Sequence, residues 1–277
     1  MTGHIWNEIW KLFGKKRTYI GFGAFLLAQL AMLSVFKLTR WQGDFERLLS
    51  RNGYPAEEFI TALTVAVVML MPQIVLLMPL YATLVGGDLV AKEVEDGTLR
   101  MILSRPISRV RLLWAKWVAG MLFAAVLVVV LGGTALGLAS LFFPWGGMFV
   151  FVPGQAFSVL SAEAGLGRFV LAHGFLAVNA GVMLSVAFLF SCGNMKPAAA
   201  TILALSYLFL NLVMEGIPFF DRYENWLITH HFRSWLLVLG DPVPWLGVAQ
   251  SLCVLVGAGA TSLVLGAVIF QGRDFKS

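Results

Sequence analysis

The chain has 277 residues, of which 59% are hydrophobic and only 13% charged, with a formal net charge of +5 and a mean hydropathy of +0.83. Soluble domains carry about twice that share of charge, so soluble, disordered and nucleic-acid-binding classes are excluded, and the basic excess is read as membrane topology. Cys192 and Cys253 lie far apart inside apolar runs, which excludes a disulfide framework and a CxxC site.

Crossing a bilayer takes about 20 mostly apolar residues, and six stretches qualify: Tyr19 to Phe36, Phe59 to Val85, Leu113 to Phe143, Phe169 to Phe190, Ala198 to Met214 and Trp245 to Phe270. The runs are continuous rather than alternating, which argues against a β-barrel. The expected fold is all-α: a polytopic integral membrane protein of six transmembrane helices, forming a single unit over 1–277.

Ahead of the first span, His4 to Arg17 places Ile5, Trp6, Ile9, Trp10 and Phe13 along one helical face, with Lys11, Lys15, Lys16 and Arg17 beside or beyond it. Residues 1–18 therefore read as an amphipathic interfacial helix, its cations near anionic lipid. The first span reads as an uncleaved anchor, being too long for a signal peptide and lacking a small-residue cleavage site. Pro72 and Pro79 in the second span are ordinary at membrane depth and mark either a hinge or a static kink.

A cytoplasmic segment over 86–112 joins the second and third spans. Glu93, Glu95 and Asp96 lead into Gly97 and Thr98, which read as a turn and helix cap. Leu99, Ile102 and Leu103 then recur at i, i+3, i+4 as one apolar face. Pro106 ends this helix, and Ser108 caps another running from Arg109 into the third span. Arg100, Arg105, Arg109 and Arg111 lie along and after it. The pattern suits either a docking element or a positively flanked connector. In the third span, Gly133 and Gly137 form a GxxxG pair that suggests close helix packing. Pro144 to Gly167 reads as a nearly uncharged outer loop on the membrane surface. Between the fifth and sixth spans, 215–244 reads as an outer insertion of one or two short interfacial or re-entrant helices over about Tyr223 to Leu239.

With six spans, both termini share one side. That side carries Lys11, Lys15, Lys16, Arg17, Lys92, Arg100, Arg105, Arg109, Arg111, Lys116, Lys196, Arg273 and Lys276, against Lys37, Arg40, Arg47, Arg51, Arg168, Arg222 and Arg233 opposite. Both termini are therefore expected in the cytoplasm. The spans hold almost no ionisable side chains, unlike ion-driven carriers. Their polar residues are the neutral Gln29, Gln73, Asn179 and Asn211, which either line a path or hydrogen-bond between helices. No catalytic triad, HExxH or paired carboxylates stand out, so no catalytic residue is assigned. His230 and His231 are adjacent and point about 100° apart, a poor metal pair, so no metal site is assigned. Without a Walker A signature the chain is not expected to hydrolyse ATP by itself.

Glu93 through Arg109, in the order E-x-x-x-G-T-L-x-x-x-L-S-x-P-I-S-R and followed by Lys116, resembles the coupling segment of ABC-2 type transporter permeases, the group that includes NosY-like and antibiotic- or sodium-exporting permeases. The closing FQGRDF, Phe270 to Phe275, is similar to the way such permeases end. The resemblance implies a permease subunit of an ATP-driven ABC transporter in the cytoplasmic (inner) membrane, an exporter, docked on a separate ATP-binding subunit and paired with a second permease copy as a homodimer or heterodimer. No cofactor is implied on this chain, with ATP and Mg belonging to the partner subunit. Carried over by motif, Glu93, Gly97, Thr98, Leu99, Leu103, Pro106 and Arg109 would form or brace the coupling helix. A membrane scaffold or mechanotransmission subunit docked to an ATPase without moving solute is the alternative, and a membrane-embedded enzyme a distant third.

Overall fold

The computed structural model describes residues 2–104, 107–152 and 156–273. Arg105, Pro106 and the terminal stretch containing Phe275 and Lys276 lie outside the described residues. The elements in order are α1 (Thr2–Phe13), α2 (Lys16–Leu38), α3 (Trp41–Arg51), α4 (Ala56–Phe59), α5 (Ala62–Pro72), a π-helical turn (Gln73–Leu77), α6 (Met78–Glu95), α7 (Thr98–Leu103), α8 (Arg109–Ser140), β1 (Met148–Val152), β2 (Ala156–Leu160), α9 (Ala162–Ser191), α10 (Pro197–Glu215), a 3-10 segment (Pro218–Trp226), α11 (Ile228–Phe232), α12 (Ser234–Leu239) and α13 (Trp245–Gln271).

Among the described residues, six helical stretches are long and apolar enough to cross a membrane: α2, the continuous run Ala62–Glu95, α8, α9, α10 and α13. The protein is an all-α polytopic membrane protein that also carries a small antiparallel strand pair, Met148 opposite Leu160 and Val152 opposite Ala156. The second and fourth spans form the buried centre, and the first, fifth and sixth lie at the periphery.

Several boundaries differ from the sequence reading, because backbone hydrogen bonding carries a helix past the point where the apolar run stops. The second span runs to Glu95 rather than Val85, so the first ten residues of 86–112 belong to its helix. At about 1.5 Å per residue this 34-residue run is some 50 Å long, against about 30 Å of hydrocarbon, which leaves its charged end standing clear of the bilayer core. The third span starts at Arg109 and the fourth at Ala162, so the Pro144 to Gly167 loop is instead a hairpin followed by the first turn of α9.

Inside the second span the helix widens into a π-turn, with Met78 N–H donating to the Gln73 carbonyl. The local cause is Pro79, which has no N–H and whose ring would strike the carbonyl four residues back in an α-turn. Gln73 N–H bonds the Leu70 carbonyl, and its side-chain Nε2 donates to the Met69 carbonyl at 3.0 Å. Gln73 thus repairs its own helix.

The span is clamped about two turns beyond Pro79. A Cβ at Gly86 would run into the Leu184 carbonyl of α9, and one at Gly87 into Thr201 Oγ1 of α10. The GxxxG pair does not pack in this way: Gly133 and Gly137 have open space beside them, while Gly132 sits against the His173 ring of α9.

The end of the bundle away from the N-terminus carries structure that charge and hydropathy do not predict. The α3 helix lays Phe45 against Phe36 and Phe149 at 6.1 and 5.4 Å between ring centres. Hairpin and span are tied by Thr61 Oγ1 donating to the Gly147 carbonyl at 2.6 Å and Phe149 N–H donating to Thr64 Oγ1 at 2.9 Å. In the insertion, Trp235, Val238 and Leu239 of α12 are buried, and α12 packs on α9.

Candidate functional site

The opposite end of the bundle gathers α1, the end of α6, α7, the start of α8, the α9–α10 turn and the end of α13. The α1 helix sorts its apolar residues differently from the sequence reading. Glu8 and Leu12 are buried, Ile5, Ile9 and Phe13 half-buried, while Trp6 and Trp10 point away at 60% and 63% exposure. A helix resting on a protein presents two different apolar surfaces, one to α8 and one to its surroundings, and the sequence merged them into one face. Phe13 meets Phe123 of α8 at 5.4 Å between ring centres.

Glu8 is an acid inside an otherwise apolar stripe, and its reason is Lys116, eight residues into α8 and 1% exposed. Lys116 Nζ lies 2.8 Å from Glu8 Oε2 and 2.8 Å from Glu93 Oε1. Lys11 Nζ lies 2.7 Å from Glu8 Oε1 and 3.0 Å from Glu93 Oε1. Two lysines and two carboxylates thus alternate in a closed ring that joins α1, α6 and α8. A lone ammonium buried as Lys116 is would cost several kcal/mol, and two carboxylates offset that cost while keeping the ring neutral. Burial pushes the Glu8 carboxyl upward, but the charge of Lys116 and the hydrogen bonds from Lys11 and Lys116 outweigh it and hold it below its ordinary 4.5. Beside the ring, Arg17 pairs with the buried Asp88.

Glu93 is therefore brought into the site as a brace between helices, and not as an outward-facing contact. Glu95 pairs with Lys92 at 2.8 Å on the solvent side of the same turn, where Asp96 also meets Lys92 at 3.1 Å. The chain then reverses at Gly97, whose φ of +70° lies in the left-handed region that a side chain disfavours by about 1–2 kcal/mol. Thr98 Oγ1 donates to the Glu93 carbonyl at 3.3 Å, closing the end of α6.

The α7 helix follows at once. Leu99 is 1% exposed, Ile102 and Leu103 are half-buried, and all three belong to the protein's own core. Its outward surface is Arg100, Met101 and Ser104. Met101, at 66% exposure, escaped the sequence reading, although it stands one position off the apolar repeat with Arg100 before it, which is the signal that could have found it.

Ser108 accepts from Arg111 N–H at 3.3 Å and so caps α8. Arg109 Nη1 donates to the carbonyls of Gln271 and Arg273 at 3.0 and 2.8 Å. Arg273 Nη1 in turn donates to the carbonyls of Cys192 and Gly193 at 3.1 and 2.7 Å, and its Nη2 to Asn194 Oδ1 at 3.1 Å. Each guanidinium closes the carbonyl end of a span, where the helix dipole favours a cation.

The four neutral polar residues at depth lie elsewhere. Gln29 Nε2 donates to the Leu131 carbonyl at 2.9 Å, joining the first and third spans. Asn179 Nδ2 donates to the Phe232 carbonyl at 3.0 Å, and Asn211 Oδ1 accepts from Ile228 N–H at 3.2 Å, so both hold the insertion between the fifth and sixth spans. The spans also carry ionisable groups that sequence reading left out: Asp88, and His173, whose Nδ1 meets the Phe169 carbonyl at 2.7 Å.

The profile of ABC-2 family transporter proteins matches residues 25–275. The chain belongs to the ABC-2 transporter family. It is similar as well to the uncharacterized protein YhcI of Bacillus subtilis (strain 168), with 36% identity over 70 residues, covering 24% of this chain and 22% of that protein. The ABC-2 family comprises permease components of ABC transporters, membrane proteins that as a family work with an ABC ATP-binding subunit in the lipid bilayer. The junction of α6, α7 and α8 coincides with the segment on which that membership was expected from the residues alone.

Proposed function

We propose that the protein is the membrane half of an ATP-driven exporter, docked through α7 on a separate ATP-binding subunit that carries ATP and Mg, and paired with a second permease copy. Both termini and α7 face the cytoplasm from the inner membrane in this reading. The observation that carries it is mechanical. The six-residue α7 is anchored by Leu99 between the charged end of a 34-residue span and the start of α8, and Glu93 joins that end to α1 and α8 through the ion ring. A push on α7 is then delivered to three helices at once, and driven closure needs such a rigid element.

The inward residues brace the helix, and the outward residues make the contact. Coexpression with a candidate ATP-binding subunit tests this division. Met101→Asp is expected to reduce copurification at least about tenfold while the permease itself stays as stable as the unaltered chain, because Met101 lies on an exposed surface. Undiminished copurification overturns the docking assignment. ATP-dependent solute movement in vesicles then separates export from force transmission.

A further inference from the structure

A cavity of 1270 Å³ opens at the elbow between α1 and α2 and extends to α6, α7 and α8. Its walls carry ten formally charged side chains, and nearly all of them are mutually compensated. Glu8, Glu93, Lys11 and Lys116 form the closed ring, Arg17 pairs with Asp88, and Lys92 with Asp96. What remains is Lys15 and Lys16, adjacent at the elbow and without a carboxylate partner among the described residues.

We propose that Lys15 and Lys16 make this cavity a binding site for the phosphate of an anionic phospholipid headgroup. Three features select that chemistry. The uncompensated charge is of one sign and sits where an interfacial helix turns into a span, which is headgroup depth. Lys15 is half-buried, so an anion there is screened less by salt than on an open surface. Burial first, then the nearby charges of Arg17 and Lys116, outweigh the opposing pull of Glu93 and Glu8 and hold the Lys15 ammonium below its ordinary value, and a bound anion would relieve that stress. The apolar flank is present too: Trp10 is 63% exposed on the rim, and on the first turns of α2 Tyr19 and Ile20 are 63% and 71% exposed. Those side chains suit acyl chains lying beside the span, whereas a soluble phosphate would make no use of them.

The test is binding of phosphatidylglycerol to the full-length protein in phosphatidylcholine nanodiscs, followed by native mass spectrometry and by thermal stabilisation. Lys15→Ala with Lys16→Ala is expected to weaken phosphatidylglycerol binding about 30-fold, given the usual contribution of two cations near the headgroups. Lys15→Arg with Lys16→Arg should restore it. Lys37→Ala with Arg40→Ala, the same loss of charge at the other end of α2, should leave it unchanged. Equal affinity in the unaltered protein and the double alanine variant overturns the site. Stabilisation by inorganic phosphate alone that equals the lipid's and depends on Lys15 and Lys16 overturns the lipid assignment in favour of a soluble phosphate. Neither readout involves the ATP-binding subunit, so a failed coupling reading leaves this result standing.

Discussion

Glu8 is the residue on which the arrangement at the α1 end turns. Its carboxyl titrates below its ordinary 4.5, and Lys11, pushed down by burial but raised more by its bonds to Glu8 and Glu93, titrates above its ordinary 10.5. A depressed acid contributes stability that is present above 4.5 and lost as the pH falls through the lower folded value; a raised base contributes below 10.5 and loses it as the pH climbs through the higher one. Docking of α1 is therefore expected to hold between these limits and to loosen on acidification below about pH 4.5. Dyes at Gly3→Cys and Ser104→Cys, in a Cys253→Ser background, should report a longer separation in acid, and Glu8→Gln should bring part of that lengthening to neutral pH. An unchanged separation at pH 3 to 4 in the native ring would mean that apolar packing alone holds α1. Little of this was legible in the sequence. Glu93 drew attention by its place before a glycine turn, but Lys116 and Glu8 lie 108 positions apart, and no local pattern pairs them. The cue was an acid in an apolar stripe, which has meaning only once a buried cation is known to face it.

Helices long enough to cross a bilayer announce themselves, because an unbroken row of about 20 apolar residues is too long for an ordinary core helix and matches the hydrocarbon thickness, and all six were legible. What periodicity could not say was which glycines lie at contacts, since spacing is the same on a packed face and an open one. The fold resolves this at Gly86, where α6 and α9 meet closely, and at Gly133 and Gly137, where an added Cβ would meet nothing within 4 Å among the described residues. Gly86→Ala forces a methyl into the Leu184 carbonyl, and overpacking of that kind costs about 1–3 kcal/mol. Its melting temperature in detergent is expected to fall by several degrees. Gly133→Ala and Gly137→Ala should leave the detergent-solubilised protomer unchanged or slightly more stable, because alanine favours helix. A loss of stability in the latter pair matching that at Gly86 would show that the outer face of α8 is packed after all. The hairpin and the α3 helix were missed for a related reason: they stand on contacts with Thr61, Thr64 and Phe36 that only the assembled bundle supplies.

Two fastening systems at one end of the bundle divide the molecule's labour. The ion ring gathers α1, α6 and α8, while Arg109 and Arg273 gather α8, α13 and the turn after α9. They share α8, so the whole end can move as one body even though α13 is peripheral. Arg273→Ala separates their roles. It removes the donor contacts to Cys192, Gly193 and Asn194 and leaves the Arg273 main-chain carbonyl in place for Arg109. Charge-assisted hydrogen bonds contribute about 1.5–3 kcal/mol when well formed, less where the guanidinium is partly hydrated, so a fall of about 3–6 °C in melting temperature is expected. Copurification with the ATP-binding subunit should persist, because the outward face of α7 is intact. Under the proposed coupling through α7, ATP-driven output should drop, because span 6 loses its tie to the turn after α9. If the Arg273→Ala protein keeps its stability and loses no output, span 6 moves independently of the junction and the fastening at α8 transmits nothing to it.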